Sequence, residues 1–171
     1  LPIFIKPNGS GSSLGISKVY KIKNIDNALK IAFKESDDVL IENFIDGIEV
    51  TCGVLFLNGK TTALLPTEII SEGDFFDYDA KYLGKSEEIT PARISEKDLN
   101  TIQSTVKNIY NKLNFNGVVR IDFIIDKMKG PHIIEINTNP GMSPASIIPQ
   151  QIKACGYSIK EMITNIITEG L

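Results

Sequence analysis

The sequence predicts an α+β chain whose sheets are mainly antiparallel, and three observations carry that prediction. Asn58-Gly59 separates two β-favouring runs and is the strongest hairpin signal in the chain, while Lys127-Met128-Lys129-Gly130-Pro131 separates another such pair. Amphipathic stretches of helical period stand between and after these ribbons. The glycine-rich segment lies between strands, with no helix opening at it and no G-x-x-x-x-G-K-[ST], so the P-loop and Rossmann folds are disfavoured. At 171 residues the chain can form one well-packed unit or two small lobes sharing an interface.

Taken in order, Ile3 to Lys6 reads as a short buried strand, and Ile16 to Ile22 alternates with period two as a half-buried one. A helix follows from Asp26, with Asn24 or Asp26 as cap and Ile25, Ala28, Leu29, Ala32 and Phe33 as its buried stripe. Val39 to Phe44 is the next strand. Asp46-Gly47 then turns the chain into a long strand, Ile48 to Leu57, which returns through Thr61 to Pro66. Ser71 to Thr90 has no clear period and reads as a long loop of the kind used for lids. Ser95-x-x-Asp98 opens a helix whose core face is Leu99, Ile102, Val106, Ile109, Tyr110 and Leu113. Val118 to Asp126 and His132 to Asn137 are strands. The closing helices run from about Ser146 to a Gly156 stop, and from Ser158-x-x-Glu161 onward.

Composition bounds the function. A net charge of −3, 42% hydrophobic and 23% charged residues describe an ordinary globular chain, with no electrostatic reason to bind nucleic acid. No run is long enough to span a bilayer as a helix, so no membrane anchor is expected. Cys52 and Cys155 form no C-x-x-C and read as reduced thiols in a core, in a cytoplasmic protein. The chain starts without Met on the apolar run Leu1-Pro2-Ile3-Phe4-Ile5, with no signal peptide, and so is expected to be an internal piece of a longer protein.

Two constellations could do chemistry. In the first, Gly9, Gly11 and Gly15, interleaved with Ser10, Ser12 and Ser13, can aim backbone N–H groups at an anion, with Lys6 as the fixed cation. On this motif alone, phosphate binding and a flexible glycine hairpin beside a surface lysine stand level. The second is more specific. A hairpin tip centred between Met128 and Lys129 sets Asp122 opposite Glu135 and Arg120 opposite Asn137, all on one face, with Ile121, Phe123, Ile125, Ile134 and Ile136 turned toward a core. A slip of one residue would separate these pairs.

In that register Asp122, Glu135 and Asn137 make an all-oxygen cluster suited to Mg²⁺ arriving with a nucleotide. Arg120 either neutralises the acids as a structural salt bridge or serves the chemistry, and the second reading is preferred because Thr138-Asn139-Pro140-Gly141-Met142 follows directly. The Gly141 amide in that turn can face an oxyanion. Glu42 and Glu49 flank the Asp46-Gly47 turn, where carboxylates can accept from adenine or ribose, although for either one alone a solvated surface place is the preferred reading. Lys81 and Tyr82 lie in the lid-like loop. His132, on the opposite face of the ribbon, reads as a surface residue.

Taken together, Lys6, the Ser/Gly loop, Glu42 and Glu49 around a turn, Ala80-Lys81-Tyr82, Arg120-Ile121-Asp122 and Glu135-Ile136-Asn137-Thr138-Asn139-Pro140-Gly141-Met142 closely resemble the ATP-grasp superfamily, and within it the D-alanine:D-alanine ligase family. The resemblance runs over essentially the whole chain and covers only the central and C-terminal part of such a ligase. It implies two α+β lobes gripping ATP, residues 1–48 remaining from the central lobe and residues 49–171 forming the C-terminal lobe, with a lid at about 71–90.

By the same resemblance Lys6 and Lys81 match phosphate-binding lysines, Ser12 the serine over the phosphates, and Glu42, Ile45 and Glu49 the adenine and ribose side. Asp122, Glu135 and Asn137 match ligands of Mg²⁺ or Mn²⁺, held as two ions. Arg120, Gly141, Ser12 and Tyr82 fall in the catalytic set. Ser146 matches the residue that holds the second D-alanine's carboxylate, with Gly141, Lys81 and Tyr82 beside the substrate. Tyr82 stands where D-lactate-using relatives carry His, which favours an amino acid as second substrate. The implied activity is ATP-dependent formation of D-alanyl-D-alanine through an acyl phosphate for peptidoglycan synthesis, by a cytoplasmic homodimer when intact, with the isolated piece inactive. The alternatives are another ATP-grasp carboxylate-amine ligase or a non-catalytic ATP-binding module.

Overall fold

The computed structural model describes residues 1–9, 13–71 and 86–169, and the chain divides into two compact units, residues 1–45 with 71–87 and residues 46–70 with 88–171. In the first unit, β1 (Ile3–Pro7) pairs antiparallel with both β2 (Ser17–Val19) and β3 (Val39–Asn43). Helix α1 (Ile25–Ala32) covers one face of this sheet, where Ile5, Val19, Ala28 and Ala32 form a small core. The other face carries Phe4, Lys6, Lys18, Leu40 and Glu42, because side chains alternate along each strand. The second strand is shorter than the Ile16 to Ile22 run expected, since Ile22–Asn24 tightens into a 3₁₀ turn leading into α1. Phe33, expected in the buried stripe, is 54% exposed, because the helix stops at Ala32 and Phe33 caps it.

The second unit is built on β4 (Gly47–Leu57), whose residues 47–55 pair with β8 (Val118–Asp126). The sheet order is β7-β6-β4-β8-β9, with β5 (Lys60–Ala63) also on β4, β6 spanning Thr67–Ser71, β7 Ser86–Ile89 and β9 Gly130–Asn137. Asn58 and Gly59 both take positive φ and close the expected two-residue hairpin. The stretch expected as one loop from Ser71 to Thr90 is structured at both ends: Ser71 ends β6, and residues 86–89 form β7. β6 reads Thr-Glu-Ile-Ile-Ser and β7 Ser-Glu-Glu-Ile, and neither alternates apolar with polar residues, which hid them from a hydrophobic pattern.

Helix α2 (Glu96–Lys112) packs on one face of this sheet through Ile102, Val106 and Tyr110, against Val50, Cys52 and Val54 of β4 and Ile121 and Phe123 of β8. Ser95 caps it as expected, its hydroxyl accepting from the Asp98 N–H at 3.1 Å and donating to the Asp98 carboxylate at 2.6 Å. Leu113 was expected on the core face. It is instead 57% exposed, because it is the C-cap and the chain turns away at Asn114 in the left-handed region.

On the opposite face, α3 (Ile147–Ala154) and α4 (Ile159–Glu169) bury Leu55, Leu57, Leu64 and Val118 under Ile148, Ile152 and Met162. Gly156 ends α3 at φ +82°, its N–H donating to Lys153 while the Tyr157 N–H reaches Ile152, which is the Schellman arrangement. The Ser158-Glu161 box closes as expected, with the Glu161 carboxylate taking the Ser158 N–H at 2.7 Å and the Ser158 hydroxyl taking the Glu161 N–H at 3.1 Å. Both cysteines are free, Cys52 fully buried and Cys155 partly so, and burial raises both thiols above their ordinary range. No helix among the described residues is long and apolar enough to cross a membrane.

Glu68 of β6 is 8% exposed and receives a two-pronged hydrogen bond from Arg93, Nε to Oε2 at 2.8 Å and Nη2 to Oε1 at 2.9 Å. Those bonds hold its carboxyl below the ordinary value against the opposing effect of burial. A folded-state value below the unfolded one contributes stability above the ordinary carboxylate range, lost as pH falls through the lowered value. Arg93→Ala is therefore expected to cost about 1–2 kcal/mol at neutral pH, discounted because the Arg93 side chain is 62% exposed, with the deficit shrinking in acid. Urea melts at pH 7 and pH 4 check this.

Candidate active site

The β8–β9 ribbon builds the site. Arg120 faces Asn137 and Asp122 faces Glu135, as expected from the sequence. The tip differs from expectation, and so does one place along the ribbon. Asp126 accepts the N–H groups of Met128 and Lys129 at 2.7 and 2.8 Å, which centres the turn on Met128 and pairs Asp126 with Gly130. An irregularity between Asp122 and Phe123 then leaves Ile134 as an extra residue in β9, and this bulge restores the expected register at the open end.

Two smaller expectations fail, the first because of the bulge and the second because β9 is the edge strand. His132 pairs with Ile124 and so belongs to the Asp122 face, while Ile136, expected in the core, is 36% exposed on the sheet's outermost strand. Ile121 and Phe123 are buried as expected, with Ile125 close behind at 7% exposed.

Because Asp122 also pairs with Thr51, Arg120 with Gly53 and Ile124 with Glu49, the acid cluster shares its face with Thr51 and Glu49 of β4. Arg120 forks onto Asp122, Nε to Oδ1 and Nη2 to Oδ2, each at 2.8 Å. Asn137 donates to Asp122 Oδ2 at 3.2 Å, and the Thr51 hydroxyl donates to Oδ1 at 2.5 Å. Thus the structural salt bridge ranked second on the sequence is present, and it compensates two carboxylates set opposite each other. Burial pulls the Arg120 pKa down, but the Asp122 hydrogen bonds and the charges of Asp122, Glu135 and Glu49 outweigh it and raise it above its ordinary value. The guanidinium is a permanent cation there. Among the described residues no three of His, Cys, Asp and Glu converge as a metal site, and this cluster offers two carboxylates and an amide.

Gly141 and Ser146 are brought together beyond β9: a Cβ at Gly141 would lie 2.9 Å from Ser146 Oγ. Ser146 is the N-cap of α3 and exchanges a hydroxyl bond with Ser143 at 2.8 Å. In the first unit, Lys6 Nζ lies 2.8 Å from Glu42 Oε2, across neighbouring strands on the face away from α1. Lys18 Nζ sits over the Phe44 ring at 4.1 Å. Ile45 is half-buried in the connection after β3. Ser12, Lys81 and Tyr82 lie outside the described residues.

Sequence reasoning missed Thr51, Gln150 and Gln151. Gln150 donates to Glu88 Oε2 at 2.6 Å and to the Ala145 carbonyl at 3.1 Å, tying β7 to the turn that holds Ser146. Gln151 is fully buried against β4. One signal was available: Glu49 and Thr51 alternate with Val50, Cys52 and Val54, and Gln151 sits on the apolar stripe of α3 with Ile148 and Ile152.

Solved ligase structures share this fold. The VanG D-Ala:D-Ser ligase from Enterococcus faecalis superposes with a TM-score of 0.86 at 35% identity, over 98% of this chain and 49% of that one. The D-alanyl-alanine synthetase A from Vibrio cholerae gives 0.86 at 30% identity, over 98% and 51%. A D-alanine–D-alanine ligase of Flavobacterium psychrophilum is 54% identical across all of this chain and 52% of its own length, and one of Christiangramia forsetii is 51% identical over the same shares. The chain belongs to the D-ala D-ala ligase C-terminus family, which matches residues 1–168. It spans about half the length of these curated relatives.

Proposed function

We propose that the full-length protein joins two D-alanines to D-alanyl-D-alanine at the expense of ATP, for peptidoglycan synthesis in the cytoplasm, and that this segment supplies its nucleotide and catalytic groups. The observation that carries the reading is the Arg120–Asp122–Glu135–Asn137 cluster on one sheet face, followed directly by the turn that sets Gly141 against Ser146. In this reading residues 1–48 and 49–171 are the remainder of the central ATP-grasp lobe and the C-terminal lobe.

The donor set fits a hard divalent cation: two carboxylates and an amide oxygen, with room left for phosphate oxygens and water. Asp122 already accepts four hydrogen bonds, and the longest comes from Asn137, so turning that amide over would free one lone pair and present an oxygen in the same movement. Bound Mg²⁺, as two ions in the family, would counter charge on the transferring phosphoryl group.

This chain's residues do the rest. Lys6 accompanies the nucleotide phosphates and Glu42 accepts from the adenine amino group, each exchanging its present partner for ATP. Glu49, with Ile45 nearby in sequence, takes the ribose side. By the family likeness Ser12 and Lys81 serve the phosphates and Tyr82 the substrate. ATP phosphorylates the first D-alanine's carboxylate, Ser146 holds the carboxylate of the second, and the second amine attacks the acyl phosphate. Arg120 and the Gly141 N–H stabilise the oxyanion that develops. The intact enzyme is a homodimer by the same family likeness.

The test is calorimetric titration of Mg-ATP alongside a dipeptide assay with an acceptor screen, on the full-length protein. D-alanyl-D-alanine formation supports the reading; turnover only with another acceptor, or binding without product, overturns it. Glu135→Gln, nearly isosteric on an exposed position, is expected to lower turnover roughly 100-fold with an unchanged melting temperature. Unchanged turnover would remove Glu135 from the cation site.

A further inference from the structure

The carboxamide of Gln151 completes a sheet ladder. β4 pairs with β6 at Glu49, Val50 and Thr51 and with β5 from Val54 onward, so Cys52 and Gly53 belong to neither pairing. There the side chain of Gln151 stands in for a peptide group. Its Oε1 accepts the Gly53 N–H at 2.9 Å, and its Nε2 donates to the Thr51 carbonyl at 2.9 Å and to Thr67 Oγ1 at 3.0 Å. Gln151 is fully buried and Thr51 is 2% exposed, so water cannot replace these bonds cheaply.

Thr51 passes that fixed position on to the site through its hydroxyl, which donates to Asp122 Oδ1 at 2.5 Å. The other donors to Asp122 are the side chains of Arg120 and Asn137, which the proposed chemistry asks to turn toward substrate or cation. Thr51 has no such second task, and its strand is held by pairing on both sides, with β6 and with β8.

We propose that Thr51 and Gln151 are positioning residues for Asp122: Gln151 pins the β4 backbone at Thr51, and the Thr51 hydroxyl keeps the carboxylate aimed while its other partners exchange. The proposal rests on the cation-binding reading above and adds two residues to it. A hydroxyl holding a metal-binding carboxylate tunes affinity without touching the metal.

The experiment is titration of the full-length protein with Mn²⁺ in the presence of a non-hydrolysable ATP analogue, followed by the electron paramagnetic resonance signal of free Mn²⁺. Thr51→Val keeps the side chain's shape and removes the hydroxyl; it is expected to weaken Mn²⁺ binding about tenfold, with KM for D-alanine unchanged. Thr51→Ser is expected to restore binding, which a merely structural role would not predict. Gln151→Met is expected to weaken Mn²⁺ binding in the same direction, and should it fail to fold, the Thr51 pair decides alone. Wild-type Mn²⁺ affinity in Thr51→Val, or no rescue by Thr51→Ser, overturns the proposal. Absence of Mn²⁺ binding by the unaltered protein would instead overturn the cation-site reading, and this inference with it.

Discussion

Arg120→Ala in the full-length protein is expected to lower dipeptide formation by about 10²–10³-fold, the usual effect of removing one donor from an oxyanion. The same change removes the forked partner of Asp122 and leaves that carboxylate opposite Glu135 with Thr51 and Asn137 as its remaining donors. Arg120 and Asp122 are only 20% and 18% exposed, so water compensates incompletely, and a stability loss of about 3 kcal/mol is expected as well. Arg120→Lys separates the two effects. It returns a cation near Asp122 but not the planar fork, so stability recovers in part while the rate does not. Dipeptide assays with urea melts on both variants check this; turnover of Arg120→Ala at the parent's rate would leave Arg120 a salt bridge and nothing more.

Gly53→Val is expected to destabilise the second unit severely. A Cβ at Gly53 would lie 2.6 Å from Ile148 Cδ1, 2.8 Å from Gln151 Oε1 and 2.8 Å from Leu64 Cδ1, closer than real contacts allow. Even Gly53→Ala must push α3 off the sheet or displace the carboxamide that receives the Gly53 N–H, at a cost of about 1–3 kcal/mol. The two further methyl groups of Val raise this to about 4 kcal/mol or more, a large part of a domain's usual 5–15 kcal/mol. Urea midpoints of the full-length protein give the measurement. Adding Ile148→Val to Gly53→Ala should recover part of the loss, because it withdraws the nearest offending atom. A normal midpoint for Gly53→Val would mean that α3 does not approach β4 this closely.

How far the site was legible in the sequence depended on the range of the forces that build it. The facing of Asp122 with Glu135 and of Arg120 with Asn137 could be read from one hairpin, because two strands joined by a short turn have few registers open to them. Even so, the reading reached the right pairs through two errors that cancel, a turn centred half a residue away and a bulge at Ile134. Asp126 set the turn by capping two amides, a bond whose consequences a pattern of apolar residues does not show. Leu113 and Phe33 failed for another reason. Each continues the apolar stripe of its helix but lies past the last turn, where burial is decided by what the chain does next.

By itself, the sequence determined the elements with local causes: the Asn58-Gly59 hairpin, the Ser95 and Ser158 caps, the Gly156 stop, and the ribbon that gathers Arg120, Asp122, Glu135 and Asn137. Those depend on neighbours along the chain, whose backbone preferences and hydrogen bonds are fixed by residue type. Only the tertiary structure decided that Gln151, 98 residues from Gly53, mends the gap in β4, and that Thr51 reaches Asp122 from 71 residues away. A buried amide finds its partners wherever packing leaves a peptide group unpaired, and that place is set by the docking of a whole helix on a whole sheet.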